Sequence, residues 1–165
     1  MIRYGLLLVM VALLAGCGSM STAPDAASQK SAVTARLHGG PEDVVIFSLG
    51  LLETRYRFGG RNPDAGFDCS GMVSYVFDKA VGLRLSGSAA DIAKLGRPVS
   101  TPDMKPGDLV FFNTLRRSRS HVGIYLGDGR FIHAPSNQGS ARVRTDSLTE
   151  GYFASRFEEA RTYFD

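Results

Sequence analysis

Few residues in this chain could do covalent chemistry. It contains two cysteines and three histidines. Cys69 sits in Phe67-Asp68-Cys69-Ser70-Gly71, after a turn-rich run (Gly59-Gly60-Arg61-Asn62-Pro63-Asp64) and before the apolar-periodic residues Met72, Val73, Val76, Phe77 and Ala80. That order predicts a loop delivering Cys69 onto the first turn of a helix. There the thiol meets unpaired backbone N–H groups and the positive end of the helix dipole, and both favour thiolate. Such a cysteine is a candidate nucleophile, and a nucleophile needs a base with something to orient that base.

His121 and His133 are the candidates for base and orienter. They lie in one predicted hairpin, near the start of its first strand and the end of its second. A two-residue loop at Asp128-Gly129 would pair Gly127 with Arg130 and put the histidines on opposite faces. A three-residue loop, Gly127-Asp128-Gly129, pairs Leu126 with Arg130 and makes the histidines diagonal neighbours on one face, about 7–8 Å apart at the backbone. Gly129 suits the left-handed position such a loop needs. The three-residue loop, or another of the same parity, is therefore expected. One cysteine and two histidines could also ligate zinc, but a cysteine at a helix start is explained without it, and neither metal nor cofactor is expected.

The elements that must position these residues read as follows. Pro41-Glu42-Asp43 opens a helix with acids in its first turn. A second helix runs from about Cys69 to Ala80, with Asp68 as N-cap and Gly82 near its end. A third fits Ala89–Leu95, capped by Ser88. From Pro106 the pattern turns strand-like, with strands at Leu109–Phe112, His121–Leu126, Arg130–Ala134, Ala141–Thr145 and roughly Glu158–Phe164. Helices first and an antiparallel meander afterwards predict an α+β domain.

The N-terminus reads differently. Arg3 precedes the short apolar run Gly5–Ala15, which ends in Leu14-Ala15-Gly16-Cys17. This resembles the lipobox of bacterial lipoproteins, which implies that residues 1–16 are a signal peptide and that Cys17 is lipidated. Gly18, in place of an aspartate, then favours the outer membrane, facing the periplasm. Residues 17–40 form the lipidated cysteine and a flexible tether, able to reach roughly 75 Å fully extended, and residues 41–165 the domain. With Cys17 taken by lipid, Cys69 is a lone thiol in an oxidising compartment, where thiols normally pair. Hydrophobic residues make up 44% of the 165-residue chain and charged ones 21%, as in a globular protein, and a net charge of +3 is too weak to indicate a nucleic-acid partner.

F-D-C-S-G, P-G-D-L-V-F-F, H-V-G-I-Y-L-G-D-G and F-I-H-A, in this order, resemble the NlpC-type cell-wall peptidases, papain-like cysteine peptidases of bacterial murein. The resemblance spans roughly Pro41–Phe164. It implies a papain-like fold, with N-terminal helices and the nucleophile at a helix N-terminus packed on an antiparallel sheet. It also implies Cys69 as nucleophile, His121 as base, His133 as orienter, and Tyr56 near the oxyanion site with the Cys69 N–H. Asp68 caps the helix and, by the resemblance, also helps bind the free amine of a stem peptide, with Ser70 beside it. Phe58, where many members carry Trp or Tyr, should affect packing only. Arg116, Arg117 and Arg119 are candidates for a wall of the groove facing substrate carboxylates.

The expected activity is hydrolysis of peptide bonds in murein stems or crosslinks by a Cys-His-His thiol mechanism, and the residues leave open which bond is cut. Two other readings stand beside it. One is a Cys/His amidase or acyltransferase on the same fold; the other is a catalytically silent murein-binding lipoprotein, which predicts the loss of a catalytic side chain where none is lost. Peptidoglycan stem peptides and the membrane of the lipid anchor are the expected partners. Adaptor lipoproteins or a regulatory protease leave no mark in the residues.

Overall fold

The computed structural model describes residues 39–136 and 141–165. The signal peptide, Cys17 and nearly all of the tether lie outside the described residues. Helix α1 (Pro41–Leu49) begins with proline at its first position, and its Asp43 carboxylate accepts the Gly40 N–H at 2.9 Å. Helix α2 (Cys69–Val81) is capped by Asp68, which accepts the Gly71 N–H at 2.7 Å, and ends at Gly82 in the left-handed conformation. Its buried face carries Met72, Val73, Val76, Phe77 and Val81. Each such side chain contributes about 1.5–3 kcal/mol by leaving water. Helix α3 (Ala89–Ala93) is two residues shorter than expected, because the Lys94 and Leu95 N–H groups bond three residues back and tighten the last turn. Among the described residues, no helix is long and apolar enough to cross a membrane.

Two short strands before α2, β1 (Arg61–Asn62) and β2 (Gly66–Phe67), form a small hairpin within the run expected to be only turns. The main sheet contains β3 (Arg97–Val99), β4 (Leu109–Phe112), β5 (His121–Gly127), β6 (Arg130–His133), β7 (Arg144–Ser147) and β8 (Phe157–Thr162), in the order β3-β8-β4-β5-β6-β7. Every neighbouring pair is antiparallel. The meander β4–β7 matches the strand pattern of the sequence, whereas β3 lies outside it. Exposed Arg97 and Pro98 suit an edge strand, where proline forfeits no ladder bond. The fourth strand begins later than expected because the segment before it is drawn elsewhere: the Val143 N–H bonds to the Thr54 carbonyl, and the Glu53 N–H to the Val143 carbonyl.

The sheet is buried on both faces. Leu109, Phe111, Val122, Ile124 and Ile132 pack with the apolar face of α2. Val110, Phe112, Tyr125, Phe131 and Ala160 point to the other face, where helix α4 (Gly151–Ala154) lays Phe153 over them.

The β5–β6 turn decides the site. Gly127 pairs with Arg130 across a two-residue turn in which both Asp128 (φ 49°) and Gly129 (φ 67°) are left-handed, the arrangement that follows strand twist. Beyond it the register shifts, leaving Leu126 as an extra residue, and Tyr125 pairs with Phe131 and Ile124 with Ile132. The expected parity is present, but a bulge supplies it instead of a three-residue loop.

Candidate active site

Cys69 occupies the first position of α2 and is half-buried and unbridged. Tertiary packing brings the helix start close to its neighbours. A Cβ on Gly71 would overlap the Gly60 carbonyl oxygen, so only glycine lets α2 begin this near the preceding loop. That loop is held by Asp68, whose Oδ2 accepts the Gly59 N–H at 2.9 Å while Oδ1 takes the Gly71 N–H and the Ser70 hydroxyl (3.1 Å). Asp68 is thus committed on both oxygens, and Ser70 is committed to Asp68.

Burial pushes the Cys69 thiol up to about 11; the Asp68 charge adds to this, and main-chain N–H groups of Val122, Ser70 and Cys69 oppose it. The helix-start argument expected the reverse. The N–H groups and the helix dipole do favour thiolate, but at this packed helix end the loss of hydration outweighs them. Tyr56 is half-buried, and burial first, then the influence of Asp68 and Cys69, raises its pKa.

The Val122 N–H that faces the thiol belongs to the residue after His121. His121 and His133 share one face of the sheet, and their rings meet at right angles with Nε2 of His121 2.7 Å from Nδ1 of His133. Continuing the β5–β6 register puts Gly123 across from His133. A Cβ there would come 2.6 Å from the Phe131 ring and 3.2 Å from the His133 Cβ. The bare glycine is what lets the two imidazoles approach. Both histidines are buried, with Phe153 packed edge-on against His133 and stacked on His121. Burial holds both pKa values down, that of His121 well below 6.5, with neighbouring His133 and Arg144 adding to the effect on His121. At rest the site therefore combines a neutral thiol with a neutral imidazole. No hydrogen bond joins Cys69 to His121 among the described residues; in unliganded enzymes such bonds are often long and tighten with substrate.

The far nitrogen of His133, Nε2, lies 2.8 Å from Oδ2 of Asp146, and the Arg144 Nε donates to the same oxygen at 3.0 Å. Asp146 does not stand out in the sequence, because its place depends on the register of β7 against β6. Burial works to raise its pKa, but the bonds from His133 and Arg144 outweigh burial and lower it.

Two further expectations change. Arg119 is already paired within the fold: its guanidinium binds Glu159 at 2.6 and 3.3 Å, and its main-chain N–H binds Glu158. Arg116 and Arg117 are exposed. Phe58 is not a packing residue, since it is 89% exposed on the loop that Asp68 secures. Among the described residues no cluster of three or more His, Cys, Asp or Glu side chains is set to hold a metal ion.

With this geometry in view, the decisive comparison is with the NlpC/P60 family model, which matches residues 53–162. The chain belongs to the NlpC/P60 family. It is 43% identical over 109 residues to the gamma-DL-glutamyl hydrolase of Bacillus subtilis (66% of this chain, 26% of that one). It is 40% identical over 107 residues to the murein DD-endopeptidase MepS/murein LD-carboxypeptidase of Escherichia coli K12 (65% and 54%). Its fold is similar to the NlpC/p60 domain of the peptidoglycan hydrolase SagA, with a TM-score of 0.64 and 32% identity over 74% of this chain and 98% of that one. The chain thus spans about a quarter and about half of these two curated relatives. The NlpC/P60 neighbours carry the same α+β, papain-like architecture.

Proposed function

We propose that this NlpC/P60 protein is a cysteine endopeptidase that hydrolyses peptide bonds of murein. The observation that carries the reading is the juxtaposition of Cys69, at a helix start beside the Val122 N–H, with the His121–His133 pair reached through the same strand. The names of the relatives supply the substrate class.

The sulfur of Cys69 attacks the scissile carbonyl carbon while its proton passes to His121. The carbonyl electrons move onto oxygen, for which the Cys69 N–H and the Tyr56 hydroxyl are the candidate donors. The tetrahedral species collapses to a thioester as the C–N bond breaks, and the leaving amine takes the proton from His121. Water gives a proton to His121 and attacks the thioester carbon; the C–S bond then breaks, the product leaves with its new carboxyl group, and His121 returns the proton to sulfur. A neutral imidazole suits both steps because it begins each as a base. Asp68 Oδ2 keeps a lone pair beyond its bond to Gly59, and that lone pair is the candidate site for a stem-peptide amine, beside the capping role.

The anchor is part of the same reading: Cys17 lipidated, the protein held at the outer membrane facing the periplasm, and the tether letting the domain reach the murein layer. Incubating purified murein with the protein and reading the fragments by mass spectrometry tests the activity. Cleavage within stems and cleavage at crosslinks give fragments of different mass, so the bond is read directly, while intact murein at every pH would reject the peptidase reading. Palmitate labelling that survives Cys17→Ala would reject the anchor.

A further inference from the structure

Asp146 carries the inference, which rests on the thiol-peptidase reading above. An ionised carboxylate only accepts, so at the 2.8 Å contact the hydrogen belongs to His133 Nε2. A neutral imidazole has one N–H, so His133 Nδ1 is bare and must accept across its 2.7 Å contact. The hydrogen in that contact therefore sits on His121 Nε2. His121 Nδ1 is left bare, and it is the one ring nitrogen not engaged by His133.

We propose that Asp146 is a positioning residue that sets the proton order of both histidines, leaving His121 Nδ1 free to take the proton of Cys69. Arg144 fixes the acceptor in turn. Its Nε donates to the same Oδ2 that receives His133, so this one oxygen is aimed by two donors from two strands. The placement follows from the sheet: His133 pairs with Arg144 and Phe131 with Asp146, so Asp146 is the diagonal neighbour of His133 on the same face. The packing leaves the imidazoles little room to choose otherwise. His133 is wholly buried between Phe131 and Phe153, and a wrong tautomer would bring two N–H groups or two lone pairs face to face with no water to relieve them.

The groups that face or act on His121 are His133 from β6, Arg144 and Asp146 from β7, and apolar Phe112 and Phe153 from β4 and α4, while Cys69, with Asp68 beside it, lies against the Val122 N–H next along β5. Of the charges that act on it, Asp146 favours the imidazolium and Arg144 opposes it. Removing the Asp146 charge should therefore move the acid limb of the kcat/KM profile to lower pH, a direction that loosened packing does not predict.

The test uses the whole chain. Nitrogen NMR of the histidine rings at neutral pH should find the hydrogen on Nε2 of both His121 and His133 in the unchanged protein. A hydrogen on Nδ1 of His121 would overturn the proposal, and this readout stands even if murein is not cut. In Asp146→Ala the tautomers should mix and kcat should fall about 10- to 100-fold with KM nearly unchanged. Asp146→Asn can present one oxygen to both donors and should recover most of the NMR pattern and part of kcat, with the acid limb shifted down. Wild-type kcat or unmixed tautomers in a folded Asp146→Ala would overturn the proposal, as would an Asp146→Asn variant no better than Asp146→Ala.

Discussion

Cys69 and His121 belong to two regions held in place by different means. Cys69 is positioned by contacts close in sequence: the Asp68 cap, the Ser70 hydroxyl, the Gly59 N–H and the tight approach of Gly71 to Gly60. His121 is positioned by strand register and by a buried line of side chains running through His133 to Asp146. The first region is polar and half-exposed. The second is packed by Phe112, Phe131 and Phe153 and keeps a fixed geometry. The difference teaches a division of labour. On the proposed thiol mechanism, the nucleophile sits in the more exposed region and the base in the packed one, so that the base needs little reorganisation at attack.

The largest effect should come from removing the proposed nucleophile. Cys69→Ala should abolish murein cleavage while circular dichroism and the melting temperature remain near those of the unchanged protein, because alanine keeps the first turn of α2. Near-normal turnover would end the assignment of Cys69.

Next in size are two single methyl groups, one for each region. Gly71→Ala puts a Cβ onto the Gly60 main-chain carbonyl, and either the helix start or the loop must move. Gly123→Ala puts one against the Phe131 ring and the His133 Cβ. Both should cost about 1–3 kcal/mol in chemical denaturation. The comparison predicts different symptoms. Gly71→Ala should disturb Cys69 alkylation with the histidine NMR signals unmoved, and Gly123→Ala should do the reverse. If both variants perturb both regions alike, the regions are not separate.

How far the sequence foretells these regions follows the same divide. The Cys69 helix, its Asp68 cap and its end near Gly82 are legible because each depends on residues within one or two turns. The shared face of His121 and His133 is legible only as a parity, since a bulge at Leu126 with a two-residue turn gives the same result as a longer loop. Asp146 is not legible. Its place depends on the register of β7 against β6, preceded by a Val143–Thr54 main-chain bond between residues far apart in sequence. The raised thiol pKa is hidden for a related reason: the helix start is visible in sequence, but the packing that strips its water is not.

The pH dependence follows from that packing. The thiol remains protonated up to about 11, and His121 remains neutral well below 6.5. Iodoacetamide alkylation of Cys69 should therefore rise roughly tenfold per pH unit from neutrality to about pH 10, since only thiolate reacts. A plateau near pH 7 would instead reveal a thiolate–imidazolium pair at rest. Stability has a matching sign. The folded histidines hold protons less readily than the unfolded ones, so stability falls as pH drops below about 6.5; the folded thiol holds its proton more tightly, so stability also falls as pH rises past about 8.5.

The smallest expected change in stability, and the most informative about substrate, is Asp68→Asn. Asparagine caps helices about as well as aspartate, so its oxygen can keep the Gly71 and Ser70 bonds. Its NH2 group must then face the Gly59 N–H, donor against donor, which costs about 1 kcal/mol and releases the loop bearing exposed Phe58. The loss of negative charge should also lower the thiol pKa from about 11, because Asp68 acts to raise it. If Asp68 does no more than cap, KM should stay within about twofold while alkylation at neutral pH quickens. If it also binds the stem-peptide amine, KM should rise about tenfold or more, because a charged pairing is lost on binding. Substrates with the amine acetylated should then no longer distinguish the Asp68→Asn variant from the unchanged protein, and that equality separates amine recognition from simple loosening of the loop.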